Sequence, residues 1–146
     1  MSVDIRAGRR ALDGLPGFSF LDTGVWYRSI KRWAVHCVLN ITVGDGAPVP
    51  ATTEWYIVFE DRYPAGSLKI YPSALHGIGT TFQHQSFNGP PRQGQPWRRG
   101  DICVTTPNSI LGRLAEQEDH RAPDRRLRWH VERALEWLKA AATNTL

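Results

Sequence analysis

Residues 53–60 read Thr-Glu-Trp-Tyr-Ile-Val-Phe-Glu, the clearest strand pattern in the chain. In an extended backbone successive side chains point to opposite faces, so Trp55, Ile57 and Phe59 share one face. Mostly polar residues occupy the alternate positions, as expected where one face of a sheet lies in the core. We therefore predict a half-buried strand over residues 53–60, with the Trp55 face pointing inward.

Two further strand patterns lie beside this segment. Residues 25–43 are rich in aromatic and branched side chains suited to a half-buried sheet, and residues 68–71 form a shorter pattern that Pro72 ends. Glycine, aspartate and proline residues at 44–50 and a turn at 62–66 keep the connections short. Strands joined by short connections most simply pair antiparallel, so the sequence predicts a β-meander.

Helical patterns lie towards the two ends of the chain. Residues 6–13 are predicted to form a short helix that a Gly-Leu-Pro-Gly run ends. After the strands, residues 108–117 are predicted to form a second helix capped by its asparagine, and Pro123 opens the clearest helix of all. A sheet flanked by helices is an α+β fold, which we predict as one domain over residues 1–146.

The helix that opens at Pro123 is amphipathic. Arg126 and Arg133 fall outside its apolar stripe, where we expect both to be solvated. The apolar residues that recur at helical spacing are Leu127, Val131, Ala134, Leu135 and Leu138.

The two cysteines lie in contrasting surroundings. Cys37 shares a predicted strand face with Val35 and Leu39, so it is expected to pack as a small apolar residue. Cys103 follows the segment 73–100, whose prolines and glycines exclude a regular element and predict an extended loop. Arginines precede it closely, and nearby cations favour the thiolate form of cysteine. Of the two, Cys103 is therefore the candidate nucleophile.

Composition and charge limit the function classes. The chain has 146 residues, 41% apolar and 22% charged, which is typical of a globular protein. No apolar run approaches the roughly 18 residues of a transmembrane helix, and no signal-peptide segment opens the chain, so we expect no membrane partner. Two cysteines in unlike settings give no disulfide framework and favour a cytoplasmic protein. The net charge of +4 comes from basic residues spread along the chain, which does not favour a nucleic-acid partner.

The order of landmarks around Cys103 resembles that of ubiquitin-conjugating enzymes. In that family a His-Pro-Asn motif precedes a Gly-x-Ile-Cys-Leu run, and here His84 and the run Gly-Asp-Ile-Cys-Val at 100–104 match these positions. An early helix, a strand meander and the Tyr63-Pro64 turn also occupy the expected places, so the resemblance covers roughly residues 25–103. The chain looks most similar to divergent bacterial members found beside ubiquitin-like modifiers and activating enzymes in anti-phage operons.

Three features differ from that family. Gln85 and Ser86 stand where proline and asparagine are expected, so the asparagine that supports the oxyanion has no direct counterpart; Asn88 is the nearby substitute. The interval from His84 to Cys103 is longer, through an insertion rich in proline, glycine and arginine. The C-terminal helical part is shorter. The nucleophile itself is retained.

The resemblance implies that Cys103 carries a ubiquitin-like protein as a thioester and passes it to an amine of a target. A thiol suits this acyl transfer because it is a good nucleophile and a good leaving group. Asn88 would support the oxyanion, and His84 would organise the loop by hydrogen bonding rather than act as a base. Asp119 and His120 are candidate general bases for the incoming amine, and a solvated turn is the competing explanation for both.

The resemblance also implies the partners. An activating enzyme, a ubiquitin-like modifier protein and a target protein with an acceptor amine are expected, with no organic cofactor and no metal. The first helix carries Arg6, Arg9 and Arg10, a candidate surface for binding the activating enzyme. An ordinary exposed basic helix explains these three arginines equally well.

Other functions remain open on the sequence. A non-catalytic module that binds a ubiquitin-like protein is the main rival, because some relatives keep the fold and lose the cysteine. A Cys-His hydrolase would pair Cys103 with His84 or His120, but no hydrolase signature surrounds the cysteine. A zinc site would recruit His76, His84 and Cys103, which lack the paired spacing typical of zinc ligands. The retained cysteine favours the conjugating enzyme.

Overall fold

The computed structural model describes residues 1–103 and 120–146. The predicted α+β class is confirmed there, with an open antiparallel sheet and two helices. Within these ranges no helix has both the length and the apolar character needed to span a membrane. The helix predicted over residues 108–117 lies outside the described residues. The elements are α1 (Val3–Arg10), β1 (Phe18–Phe20), β2 (Val25–Tyr27), β3 (Arg32–Asn40), β4 (Thr52–Phe59), β5 (Leu68–Pro72) and α2 (Pro123–Ala142).

The sheet is built around β3. Strand β4 pairs along one edge of β3 and β5 pairs with β4, all antiparallel, which is the predicted meander. Strands β1 and β2 share the other edge of β3. Between them, the carboxylate of Asp22 accepts hydrogen bonds from the N–H groups of Gly24 and His36, both at 3.0 Å. The sequence prediction merged β2 with β3 and missed β1, whose three residues are too few to show a period.

The sheet face that carries Trp55, Ile57 and Phe59 lies in the core, as predicted. All three side chains are buried, and Cys37 and Val35 of β3 lie across from Trp55 and Ile57 in the ladder. Burying an aliphatic or aromatic side chain of this size stabilises the fold by about 1.5–3 kcal/mol. Helix α2 covers this face with the predicted apolar residues, all buried: Leu127, Val131, Ala134, Leu135 and Leu138.

Helix α1 begins at Val3, earlier than the predicted start at residue 6. The reason is Ser2, whose hydroxyl oxygen accepts a hydrogen bond from the N–H of Ile5 at 3.1 Å and so caps the helix. The helix also ends earlier than predicted, at Arg10, because the chain then enters a series of turns.

Gly8 allows α1 to approach α2 closely. A Cβ atom at this position would lie 2.8 Å from both Leu127 Cδ1 and the hydroxyl oxygen of Tyr63. That hydroxyl donates to the carbonyl oxygen of Pro123 at 2.6 Å and accepts from the N–H of Leu127 at 3.0 Å. Tyr63 thereby fixes the first turn of α2 against the turn that follows β4.

Two arginines of α2 are not solvated, contrary to the prediction. Arg133 is only 2% exposed, and its guanidinium carbon lies 5.5 Å from the ring centre of Trp129. Arg126 is half-buried and donates hydrogen bonds to the carbonyl oxygens of Pro64 at 2.8 Å and Gly66 at 2.6 Å. The prediction failed because helical spacing gives the direction of a side chain but not the distant segment that covers it.

The opposite face of the sheet is partly covered by the irregular segment 73–100, predicted as a loop. Ser73 and Trp97 of this segment form an isolated antiparallel bridge, and the N–H of Arg98 donates to the carbonyl oxygen of Pro72 in β5 at 2.8 Å. The indole of Trp97 is buried against Tyr27, Tyr56 and Tyr71, with ring centres 5.0, 5.5 and 6.0 Å away. Trp97 therefore packs on the sheet face that points away from the helices.

Candidate active site at Cys103

Cys103 is held beside β5 by backbone hydrogen bonds. The N–H of the buried Ile102 donates to the carbonyl oxygen of Ile70 in β5 at 3.1 Å. The N–H of Cys103 donates to the carbonyl oxygen of His84 at 2.9 Å. These hydrogen bonds fix the backbone of Cys103. The residue itself is half-buried, so part of it stays accessible to solvent.

Gln85 connects the two segments that form the site. It makes an isolated antiparallel bridge with Ile102. Its side-chain oxygen accepts from the N–H of Phe82 at 2.9 Å, and its side-chain nitrogen donates to the carbonyl oxygen of Gly100 at 2.9 Å. The sequence treated Gln85 only as a departure from the family motif and missed this structural role. Its place directly after His84 was the available signal.

His84 has a backbone conformation that is uncommon for a residue with a side chain. Its φ is 59°, in the left-handed region. Such a conformation costs about 1–3 kcal/mol and persists only where surrounding contacts hold it. Here the carbonyl oxygen of His84 receives the hydrogen bond from Cys103. The contribution of the imidazole to the site stays a prediction.

Asn88 is buried at the base of the same loop. Its side-chain nitrogen donates to the carbonyl oxygens of Ile78 at 2.7 Å and Thr80 at 3.1 Å. An amide has two such hydrogens, so both are engaged in holding the loop. Its N–H also donates to the hydroxyl of Thr81 at 2.9 Å. The oxyanion role of Asn88 stays a prediction, and it requires at least one of these bonds to be exchanged.

The arginines that precede Cys103 are bonded to the same irregular segment. Arg98 donates to the carbonyl oxygen of Asn88 at 2.6 Å. Arg99 donates from Nε to the carbonyl oxygen of Pro90 at 2.9 Å. Both guanidinium groups therefore bridge parts of the loop that precedes Cys103.

Cys37 is buried, as predicted, and lies within hydrogen-bond reach of the Trp55 carbonyl oxygen, 3.6 Å from its sulfur. Burial strongly raises the pKa of the Cys37 thiol, and the nearby carboxylates of Asp22 and Glu54 raise it further. Cys37 therefore remains a protonated thiol near neutral pH. The thiolate is the reactive form of cysteine, so this environment makes Cys37 a poor nucleophile. The two cysteines differ in burial, as the sequence predicted.

Of the two predicted general bases, His120 lies within the described residues. Asp119 lies outside the described residues. His120 is half-buried, with its ring edge-on to Trp129 at 6.1 Å. It also lines a cavity of ≈ 410 Å³ beside the turn that contains Pro64. Among residues 1–103 and 120–146, no three histidine, cysteine or carboxylate side chains cluster as metal ligands would.

Arg6, Arg9 and Arg10 lie together on α1, around a shallow cavity of ≈ 270 Å³. Arg6 donates to the carbonyl oxygen of Met1 at 2.8 Å, and the guanidinium carbon of Arg9 lies 4.7 Å from the ring centre of Phe20. The structure thus brings the three residues into one basic surface. Binding of an activating enzyme there stays a prediction.

Gly100→Ala is expected to reduce the free energy of unfolding by about 1–3 kcal/mol, the usual cost of overpacking a filled site. A Cβ atom at Gly100 would lie 2.7 Å from two atoms of Asn88 and from the side-chain nitrogen of Gln85. Gly79→Ala is the matched control in the same irregular segment, because nothing lies within 4 Å of its Cβ position. Urea unfolding of both variants measures the difference, and equal stabilities would contradict this packing account.

Comparison with protein families finds no family that matches the chain. One curated relative is a protein of Enterobacter hormaechei subsp. hoffmannii (strain UCI 50) named ATP-dependent ubiquitin transferase-like protein Cap2. The two sequences are 28% identical over 116 residues, which is 80% of this chain and 19% of the relative. The chain therefore spans about a fifth of the length of the curated relative that it matches.

This match confirms the resemblance deduced from the residues around Cys103. The chain is similar to a bacterial ubiquitin transferase-like protein over most of its length. Because the relative is much longer, its activity as a whole is not carried over to this chain.

Proposed function

We propose that this chain is a ubiquitin-conjugating-enzyme-like transferase, folded as one catalytic domain over residues 1–146. It would accept a ubiquitin-like protein as a thioester on Cys103 and pass it to an amine of a target protein. The observation that carries the proposal is the setting of Cys103, a half-buried cysteine whose N–H bonds to the carbonyl oxygen of His84. The name of the relative, a ubiquitin transferase-like protein, supports the same chemistry.

Two acyl transfers make up the proposed reaction. The modifier arrives as a thioester on a cysteine of the activating enzyme. The Cys103 thiolate attacks its carbonyl carbon, a new thioester forms on Cys103, and the cysteine of the activating enzyme leaves as a thiolate. An amine of the target then attacks the new thioester, an amide bond forms, and Cys103 leaves as a thiolate while the amine loses a proton. Thiols suit both steps because they attack well and leave well.

The residues around Cys103 take different parts in this proposal. Gln85 and His84 are positioning residues, because they tie the loop to the cysteine segment. Asn88 holds the loop, and an exchange of its bonds would be needed for it to donate to the oxyanion. Asp119 and His120 remain the proposed candidates for the base that removes the proton from the amine.

The proposed partners are an ATP-consuming activating enzyme, a ubiquitin-like modifier and a target protein. The words "ATP-dependent" in the name of the relative support the first of these. We further propose a cytoplasmic location and a role in antiviral defence, which follow from the resemblance to bacterial conjugation proteins of anti-phage operons.

A charging assay tests the proposal. The chain is mixed with an activating enzyme and a ubiquitin-like modifier from the same organism and with ATP, then resolved on a non-reducing gel and by intact mass. We expect an adduct of one modifier that is lost on treatment with thiol. If the activating enzyme forms its own thioester with the modifier but no adduct forms on this chain, the result would favour the non-catalytic binding module.

Arg6→Glu/Arg10→Glu is expected to slow charging by about tenfold or more if the basic surface of α1 binds the activating enzyme. Reversed charges on one side of an interface weaken encounter and binding. The rate at which iodoacetamide alkylates Cys103 should stay at the wild-type value, which would show that the cysteine itself is unchanged. Arg125→Glu/Lys139→Glu on α2 makes the same change in net charge at exposed positions and is the control. Equal charging by both double variants would mean that the α1 surface is ordinary solvated surface.

A further inference from the structure

A cavity of ≈ 340 Å³ lies on the sheet face that points away from the helices, beside Trp97. Its volume falls within the range of roughly 300–1,000 Å³ typical of pockets for small molecules. It is separate from the Cys103 segment, which does not line it. The cavity is a concave site between packed elements. Its lining comes from β3, β4 and β5, from the turn before β3, from the connection before β5 and from the irregular segment 73–100.

Three cations surround this cavity, here called the basic pocket: Arg32 from β3, Lys69 from β5 and Arg92 from the irregular segment. No carboxylate is among its lining residues, and within the described part of the chain none of these three side chains forms an ion pair. Arg32 is oriented by hydrogen bonds from Nη1 to the carbonyl oxygens of Ile30 at 3.2 Å and Lys31 at 3.0 Å.

Neutral hydrogen-bonding groups complete the basic pocket. Burial raises the pKa of the Tyr71 hydroxyl, and the carboxylate of Asp101 raises it further, whereas Arg92 and Arg32 oppose the shift. Tyr71 is thus a neutral donor near pH 7, within the influence of both guanidinium groups. Ser67 and Gln95 also line the cavity. The packing of Trp97 on Tyr71, with ring centres 6.0 Å apart, keeps this wall in place.

We propose that the basic pocket binds a small phosphorylated molecule. Guanidinium groups present pairs of donors that match phosphate oxygens, and a lysine adds a further point charge. A phosphate monoester carries up to two negative charges near neutral pH and so offsets more of the three cations than a single carboxylate. A cavity of ≈ 340 Å³ matches the size of a small molecule rather than that of a protein segment.

Calorimetric titration of the full chain with AMP, inorganic phosphate and adenosine tests this proposal. We expect AMP to bind saturably at one site, and adenosine, which lacks the phosphate, to bind at least tenfold more weakly. Lys69→Gln/Arg92→Gln should weaken AMP binding at least tenfold. Arg125→Gln/Lys139→Gln removes the same charge from α2, on the other side of the sheet, and should leave the affinity within twofold of wild type.

Several results would overturn the proposal. These are no saturable binding of AMP or inorganic phosphate at millimolar concentrations, equal affinities for AMP and adenosine, or equal losses in the two double variants. The last result would mean that net charge alone attracts the anion. Cys103→Ala should bind AMP as the wild type does, so failure of this proposal and failure of the conjugating function can be told apart.

Discussion

Cys103→Ala is expected to abolish the thiol-sensitive adduct, a loss of at least about a thousandfold in the rate of charging, because no other group supplies the nucleophile. The second cysteine cannot take over. Cys37 is buried, with its sulfur 3.6 Å from the carbonyl oxygen of Trp55, and burial keeps its thiol protonated. The measurement is intact mass after incubation with the activating enzyme, the modifier and ATP, with and without thiol.

Two further variants sharpen this test. Cys103→Ser keeps the size of the side chain, and any adduct that it forms is an ester, which survives thiol treatment. Cys37→Ala removes the other thiol and is the matched control; it should charge as the wild type does. An adduct that persists in Cys103→Ala, or that is lost in a folded Cys37→Ala protein, would place the acyl group elsewhere and contradict the assignment.

The sheet could be predicted from the sequence because burial of one face imposes a period of two on the residues of each longer strand. Along β4 buried residues alternate with more exposed ones as far as Ile57, and that period predicted the inward set of Trp55, Ile57 and Phe59. The missed elements carry no such period. β1 has three residues, and the break between β2 and β3 depends on a turn rather than on hydrophobicity. The buried Arg133 was missed because its environment comes from tertiary packing.

The site could be predicted only in part. Cys103 was proposed from its motif and its contrast with Cys37, both of which are readable along the chain, and its catalytic role stays a prediction. The roles of Gln85 and Asn88 depend on hydrogen bonds to Gly100 and Ile78, which form only when the irregular segment 73–100 folds back on itself. The basic pocket likewise joins Arg32, Lys69 and Arg92, whose spacing in sequence gives no pattern.

Trp137 connects the core to the loop that holds Cys103. It lies on α2, is fully buried, and packs edge-on against Trp55 at 6.5 Å and Phe82 at 5.9 Å between ring centres. Its indole N–H donates to the carbonyl oxygen of Gln83 at 3.2 Å. The next residue, His84, accepts the hydrogen bond from Cys103. One side chain therefore serves both the stability of the sheet–helix interface and the position of Cys103.

Trp137→Ala is expected to lower the free energy of unfolding by about 3–5 kcal/mol, since the lost burial leaves a cavity between α2 and the sheet. That is a large share of the 5–15 kcal/mol that holds a typical domain together. Lys139→Ala, two residues along the same helix and exposed, should change stability by less than about 0.5 kcal/mol. Urea unfolding of both variants measures the contrast, and similar losses would mean that α2 does not depend on this contact.

Trp137→Phe separates the two parts of the contact. It keeps an aromatic ring in the core and removes the indole N–H, at a cost of about 0.5–1.5 kcal/mol for the lost hydrogen bond. That bond ties Gln83, the residue before His84, to α2. Without it the amide hydrogen of Cys103 should exchange faster with solvent, whereas amides of β4 such as Ile57 change only with global stability. Equal acceleration at Cys103 and Ile57 would show that Trp137 acts through the core alone and does not position the nucleophile.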